Sequence, residues 1–182
     1  MLEVGGDWFD SIALDDGRVL LVVGDVVGHG LDAAAMMGRL RSGLSALTGQ
    51  ESDPGRLLAM LDHYARHTGD ADYTTVCCAV IDPVTGTLTH ASAGHPPILV
   101  VDADGTSRWL DDGRSMPLCV GAPGTAARQS AETVVGEGSM VVLYTDGLVE
   151  RAIALSHEKY CSASIMLGKT AEIVTSFDLI EA

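Results

Sequence analysis

Residues 18–30 read RVLLVVGDVVGHG and residues 31–47 read LDAAAMMGRLRSGLSAL, and the pattern of apolar residues changes between them. The first half is apolar on both faces up to Val23, as expected of a central strand covered on both sides. After the glycine-rich turn at Gly24-Asp25-Val26-Val27-Gly28-His29-Gly30 the period becomes helical. Met37, Leu40, Leu44 and Leu47 fall on one side, which predicts an amphipathic helix over residues 31–47. Its early residues Ala33, Ala34 and Ala35 are small enough to pack closely on a sheet.

Upstream, residues 2–9 read as a strand broken by Gly5-Gly6, and Asp15-Asp16-Gly17 as a turn. Met1 lies so near Gly5-Gly6 that the first strand is expected to be short. Downstream, Asp53-Pro54 supplies an N-cap and an N1 proline for a second helix. That helix carries Leu57, Leu58, Leu61 and Tyr64 on one side and ends near Gly69. Residues 73–81 and 87–93 form a hairpin by composition, joined by the turn at Asp82 to Gly86. Pro96-Pro97 interrupts before a strand at 98–101, which ends at the turn Asp102 to Gly105. Residues 132–135 and 140–144 read as another pair, joined by Gly136-Glu137-Gly138. Strands, two helices and more strands make an α+β order, with helices able to cover the sheet faces. No internal repeat, low-complexity tract or linker divides the chain, so residues 1–182 are expected to be one domain.

Composition narrows the function. Eleven Lys+Arg against 25 Asp+Glu give a net charge of −14, which disfavours nucleic acid and anionic membranes as partners. No apolar run approaches the roughly 18 residues of a membrane-spanning helix, and the first ten residues do not read as a secretory signal. A cytoplasmic location is expected. Cys77, Cys78, Cys119 and Cys161 contain no CxxC pair, and the neighbours Cys77 and Cys78 should point to opposite faces of a strand as buried free thiols.

Three carboxylates share a setting: Gly6-Asp7, Gly24-Asp25 and Thr145-Asp146-Gly147. Each lies at or near the end of an apolar strand beside a glycine, which suits a hard cation that takes carboxylate and carbonyl oxygens. Any one of them reads more simply as a turn, but the three together favour a metal site. Several such side chains at one edge repel each other unless a divalent ion neutralises them. His63 and His67 have the i, i+4 spacing of a zinc pair, though a solvated helix face is the simpler reading. His29 tunes the Asp25 turn or merely packs in it. His95 either makes a structural hydrogen bond or stands near substrate, and Asp10 is a supporting or turn residue. Arg39 and Arg41 are candidate phosphate contacts that nothing in the sequence places.

Four blocks together resemble the SpoIIE/RsbU-type bacterial protein serine phosphatases of the PPM (PP2C-like) superfamily. They are Gly5-Gly6-Asp7-Trp8-Phe9-Asp10, the segment Gly24 to Gly30, Ala93-Gly94-His95-Pro96-Pro97, and Tyr144-Thr145-Asp146-Gly147-Leu148-Val149-Glu150. The blocks come in family order over about residues 1–151, and residues 152–182 form a divergent tail. The resemblance implies an α-β-β-α sandwich of two β-sheets flanked by helices, with two Mn²⁺ or Mg²⁺ ions at one end. By the same resemblance Asp25 bridges both ions, the Val26 carbonyl is a further ligand, Asp146 binds one ion, and Asp7 binds the second or holds its waters. Two adjacent cations lower the pKa of a water that attacks phosphorus in line. Substrates implied are phosphoserine or phosphothreonine on an anti-sigma-factor antagonist or similar phosphoprotein. A homodimer is left open.

The tail departs from the family. Relatives close with an Asp-Asp block, whereas residues 152–182 contain no Asp-Asp pair and only one aspartate, Asp178. Either one ion is then weakly held, or Asp178 or Glu172 replaces the missing ligand. The alternative to an active phosphatase is therefore a phosphatase-like binding module with weak or no turnover.

Overall fold

The computed structural model describes residues 5–69, 71–122 and 128–145, all inside one compact unit ending at Thr145. Strand β1 (Gly5–Ala13) pairs antiparallel with β2 (Val19–His29), which pairs antiparallel with β3 (Thr75–Ile81). Strand β4 (Thr87–Ala93) continues the sheet beside β3, and β7 (Arg114–Ser115) and β8 (Ala131–Val134) both pair with β4. A second sheet has the order β6-β5-β9, from β5 (Ile98–Val101), β6 (Ser107–Leu110) and β9 (Met140–Val142). Two sheets with helices make this the α+β sandwich that the sequence implies.

Helices α1 (Leu31–Leu47) and α2 (Pro54–Thr68) cover one face of the larger sheet. The buried stripe of α1 runs through Ala33, Met36, Leu40 and Leu44, with Met37 and Leu47 at its margin. Asp53 caps α2 by accepting from the Arg56 N–H at 2.9 Å, and Leu57, Leu58 and Leu61 are fully buried. Gly43 lets the two helices approach, since a Cβ there would stand 2.7 Å from the Tyr64 ring. The opposite face of the sheet presents Val23, Cys77, Ala79 and Leu88 to Ile98 and Val100 of β5. Cys77 thus lies in one apolar layer and Cys78 in the other, and burial pushes the Cys77 thiol up to about 12. Among the described residues, no helix is long and apolar enough to cross a membrane.

Four expectations need correction. The first strand is not short; it runs nine residues to Ala13. The segment from Gly24 to His29 is no turn, because β2 stays extended to His29 and α1 begins after Gly30. Residues 132–135 and 140–144 do not pair. Strand β8 joins β4 and β9 joins β5, so the Gly136-Glu137-Gly138 connection carries the chain from one sheet to the other. Asp10 is not a turn residue. It sits mid-strand in β1, where Arg41 of α1 grips its carboxylate at 2.8 and 3.3 Å.

One polar knot ties α2 to the segment beyond β7. Asp62 accepts from Arg66 Nε, Arg128 Nη2 and the Cys119 N–H, each at 2.8 Å. Burial pushes the Asp62 carboxyl up, but Arg66, the Cys119 N–H and Arg128 outweigh it and hold the group below its ordinary 3.8. A lowered folded-state pKa gives stability above about pH 3.8 that is lost as pH falls through the folded value. Asp62→Ala also leaves the Arg128 side chain, 1% exposed, without its counter-charge. We expect urea unfolding of this variant at pH 7 to show a loss of about 3 kcal/mol. The gap from wild type should narrow below the ordinary carboxylate range.

Candidate active site

The register of the first three strands places Asp7 opposite Asp25, and Asp25 opposite Thr75. Directly paired residues share a sheet face, so the three side chains form one row across β1, β2 and β3. Their neighbours in sequence point the other way. Trp8 and Val26 enter the core beneath the helices, at 5% and 3% exposure, and so anchor the strands on both sides of the carboxylates.

Glycines beside both carboxylates are set by close packing. The Trp8 indole occupies the space over Gly24, where a Cβ would stand 2.2 Å from the ring. A Cβ on Gly6 would stand 2.1 Å from the Val26 carbonyl oxygen. The ladder also shifts register between Gly5 and Asp7, as at a bulge, a feature that re-aims side chains near functional sites. Two carboxylates in a row with a backbone carbonyl nearby are hard oxygen donors, the chemistry that Mg²⁺ or Mn²⁺ takes. Among the described residues, no three His, Cys, Asp or Glu side chains form a metal-sized group. Asp146 lies outside the described residues, as do Glu172, Asp178 and Cys161.

His95 adjoins this row and is 1% exposed. Its Nε2–H donates to the Tyr144 carbonyl at 2.8 Å, and the Thr75 hydroxyl stands 2.8 Å from its Nδ1. Of the two readings open for His95, the hydrogen-bonded one is observed. Thr75 and Ser92 had no signal in the sequence, because their meeting with His95 depends on how the chain folds. Tyr144 stood in a family block, but nothing there pointed to its carbonyl as the partner of His95. The remaining candidates fall away from the row or are engaged elsewhere. His29 is exposed at the end of β2 opposite Gly5. His67 Nδ1 donates to the His63 carbonyl at 2.7 Å, and the two rings lie 4.4 Å apart along an apolar groove with Leu47, Met60 and Tyr64. Arg41 is engaged by Asp10, while Arg39 is exposed on α1.

Both the sequence and the fold have counterparts among known proteins. The sequence model of the family described as Stage II sporulation protein E (SpoIIE) matches residues 15–171. The chain is similar to phosphoserine phosphatase RsbP of Bacillus subtilis, at 28% identity over 81% of this chain and 37% of RsbP. It spans between 27% and 44% of the length of the curated relatives it matches. The RsbU and RsbW domains of a Mycobacterium tuberculosis protein superpose with a TM-score of 0.74 at 32% identity, covering 93% of this chain and 48% of that one. The PP2C phosphatase domain of SpoIIE from Bacillus subtilis superposes with a TM-score of 0.68 at 14% identity, over 93% of this chain and 52% of that one.

Like charges paired directly across strands destabilise a sheet. Asp7→Asn should therefore stabilise the metal-free protein by roughly a few tenths of a kcal/mol and raise its melting temperature slightly. Thermal unfolding in EDTA checks this, and an unchanged or lowered midpoint counts against the pairing.

Proposed function

This chain belongs to the SpoIIE family, and from that membership we propose that it is a metal-dependent protein phosphatase acting on phosphoserine or phosphothreonine. Its substrate is proposed to be a phosphorylated bacterial regulatory protein of the anti-sigma-factor-antagonist type. The observation that carries the reading is the row formed by Asp7 and Asp25 on paired strands, with the Val26 carbonyl next along β2. In this proposal Asp25, Asp7 and the Val26 carbonyl hold Mn²⁺ or Mg²⁺, with Asp146 contributing by family resemblance. When bound, the ions supply an activated water and take up phosphate charge.

The chain's own residues do the positioning. Trp8 packed on Gly24 and Val26 seated in the core fix the backbone positions of Asp7 and Asp25, so the strands that carry the carboxylates need not rearrange when an ion or substrate arrives. The residues named as ligands are acceptors only when ionised, which suits a site for cations and not one for a free phosphate. Phosphate therefore depends on bound cations to approach this row. A chain of net charge −14 reinforces that dependence.

The direct test is Mn²⁺-dependent hydrolysis of p-nitrophenyl phosphate and of a phosphoserine peptide by wild type and Asp25→Asn. Asp25→Asn should abolish metal-dependent turnover. Wild type without Mn²⁺-dependent turnover favours the binding-module alternative. Mn²⁺ should also stabilise the wild-type fold by about 2.7 kcal/mol at a hundredfold excess over its dissociation constant. A third outcome concerns the tail. If one ion position lacks a carboxylate, the Mn²⁺ titration of Asp178→Ala should match wild type, whereas a large loss of affinity would assign Asp178 as the replacement ligand.

A further inference from the structure

A series of hydrogen bonds, linked through the residues Ser92 and His95, leads from helix α2 to Thr75, the cross-strand partner of Asp25. Arg128 donates to Asp62 Oδ1 through Nη2 and to the Ser115 hydroxyl through Nη1, each at 2.8 Å. The Ser115 hydroxyl donates to the Ser92 carbonyl at 2.8 Å. Ser92 then clamps the His95 backbone from both sides. Its hydroxyl accepts from the His95 N–H at 3.1 Å and donates to the His95 carbonyl at 3.0 Å. Gly94 makes the turn between them at φ +70°, with Pro117 Cγ 2.4 Å from where a Cβ would stand, so this position requires glycine.

The His95 ring is therefore aimed by its own backbone, and both nitrogens have partners. A carbonyl can only accept, so the bond to Tyr144 places the proton on Nε2. In the neutral ring Nδ1 then accepts from the Thr75 hydroxyl. Thr75 is the cross-strand partner of Asp25. The Tyr144 ring also packs in a T-shaped arrangement with Trp109, the ring centroids 6.1 Å apart. One buried imidazole thus joins the strand beside Asp25 to the backbone that leaves β9.

We propose that His95 is a positioning residue, fixing Thr75 and the Tyr144 carbonyl so that the Asp25 row is organised before a divalent cation binds. The inference rests on the phosphatase reading above and adds a residue to it. The rigid ring spans two acceptor and donor positions at little cost in rotamer entropy, which no flexible side chain would do as well. Partners that orient metal ligands without touching the metal typically change affinity by 10–100-fold when removed.

The test measures Mn²⁺ binding to the 182-residue chain by isothermal titration calorimetry at 20 °C, beside the metal-free melting temperature. Wild type, His95→Ala and Thr75→Val are compared, with far-UV circular dichroism confirming the fold. A loss of Mn²⁺ affinity of about tenfold or more in folded His95→Ala is expected. A purely structural histidine would lower the metal-free melting temperature and leave affinity alone. If wild type binds Mn²⁺ and folded His95→Ala stays within tenfold of it, the inference is overturned while the phosphatase reading stands. If His95→Ala does not fold, Thr75→Val decides by the same criterion, since it removes one hydroxyl and keeps the side-chain volume. Wild type that binds no Mn²⁺ overturns the phosphatase reading and this inference together.

Discussion

Two carboxylates set directly opposite each other, Asp7 on β1 and Asp25 on β2, are the constraint on which this end of the domain depends. Such a pairing is unfavourable alone, and its cost is borne by what surrounds it. On the other face Trp8 fills the space over Gly24, and Val26 is sunk beneath helix α1. Neither strand can slip by one residue without exposing Trp8 and Val26, so the same packing that stabilises the fold keeps the carboxylates together.

The rest of the architecture follows from covering that sheet. Val23, Cys77, Ala79 and Leu88 meet β5 on the carboxylate face, and Leu20, Val22, Cys78 and Val80 meet the helices on the other. An apolar layer on each side makes the central strands rigid. The polar connections lie at the margins, through Asp62 with Arg128 and through Ser92 with His95. Both occur where irregular chain after β4 has no ladder to hold it, and there side-chain hydrogen bonds replace strand pairing. Rigid strands that present acidic side chains at an edge are a scaffold on which an ion can be bound with little rearrangement.

Much of this was legible in the sequence. The bounds of α1, the Asp53 cap and Gly69 end of α2, and strands β4 and β5 follow from local periodicity and turn chemistry. Asp7 and Asp25 stood out because each follows a glycine at an apolar strand, and the glycines prove to be sites of close packing. What escaped is non-local or too short to show a pattern. Strand β7 has two residues, and β6 alternates only through Ser107, Arg108, Trp109 and Leu110. The partners of β8 and β9 lie in different sheets, although 132–135 and 140–144 look like a hairpin. The salt bridge between Asp10 and Arg41, and the meeting of His95 with Thr75 and Tyr144, join residues 20 to 49 positions apart. Composition gives no sign of such pairs; they exist only once the sheet has formed.

The central claim is that the Asp25 row is a divalent-cation site. The most direct test is a crystal of the chain grown or soaked with Mn²⁺ and measured near the manganese absorption edge. An anomalous peak within about 2.5 Å of an Asp25 carboxylate oxygen is the predicted result. A well-ordered Asp25 with no anomalous density beside it at saturating Mn²⁺ would contradict the account.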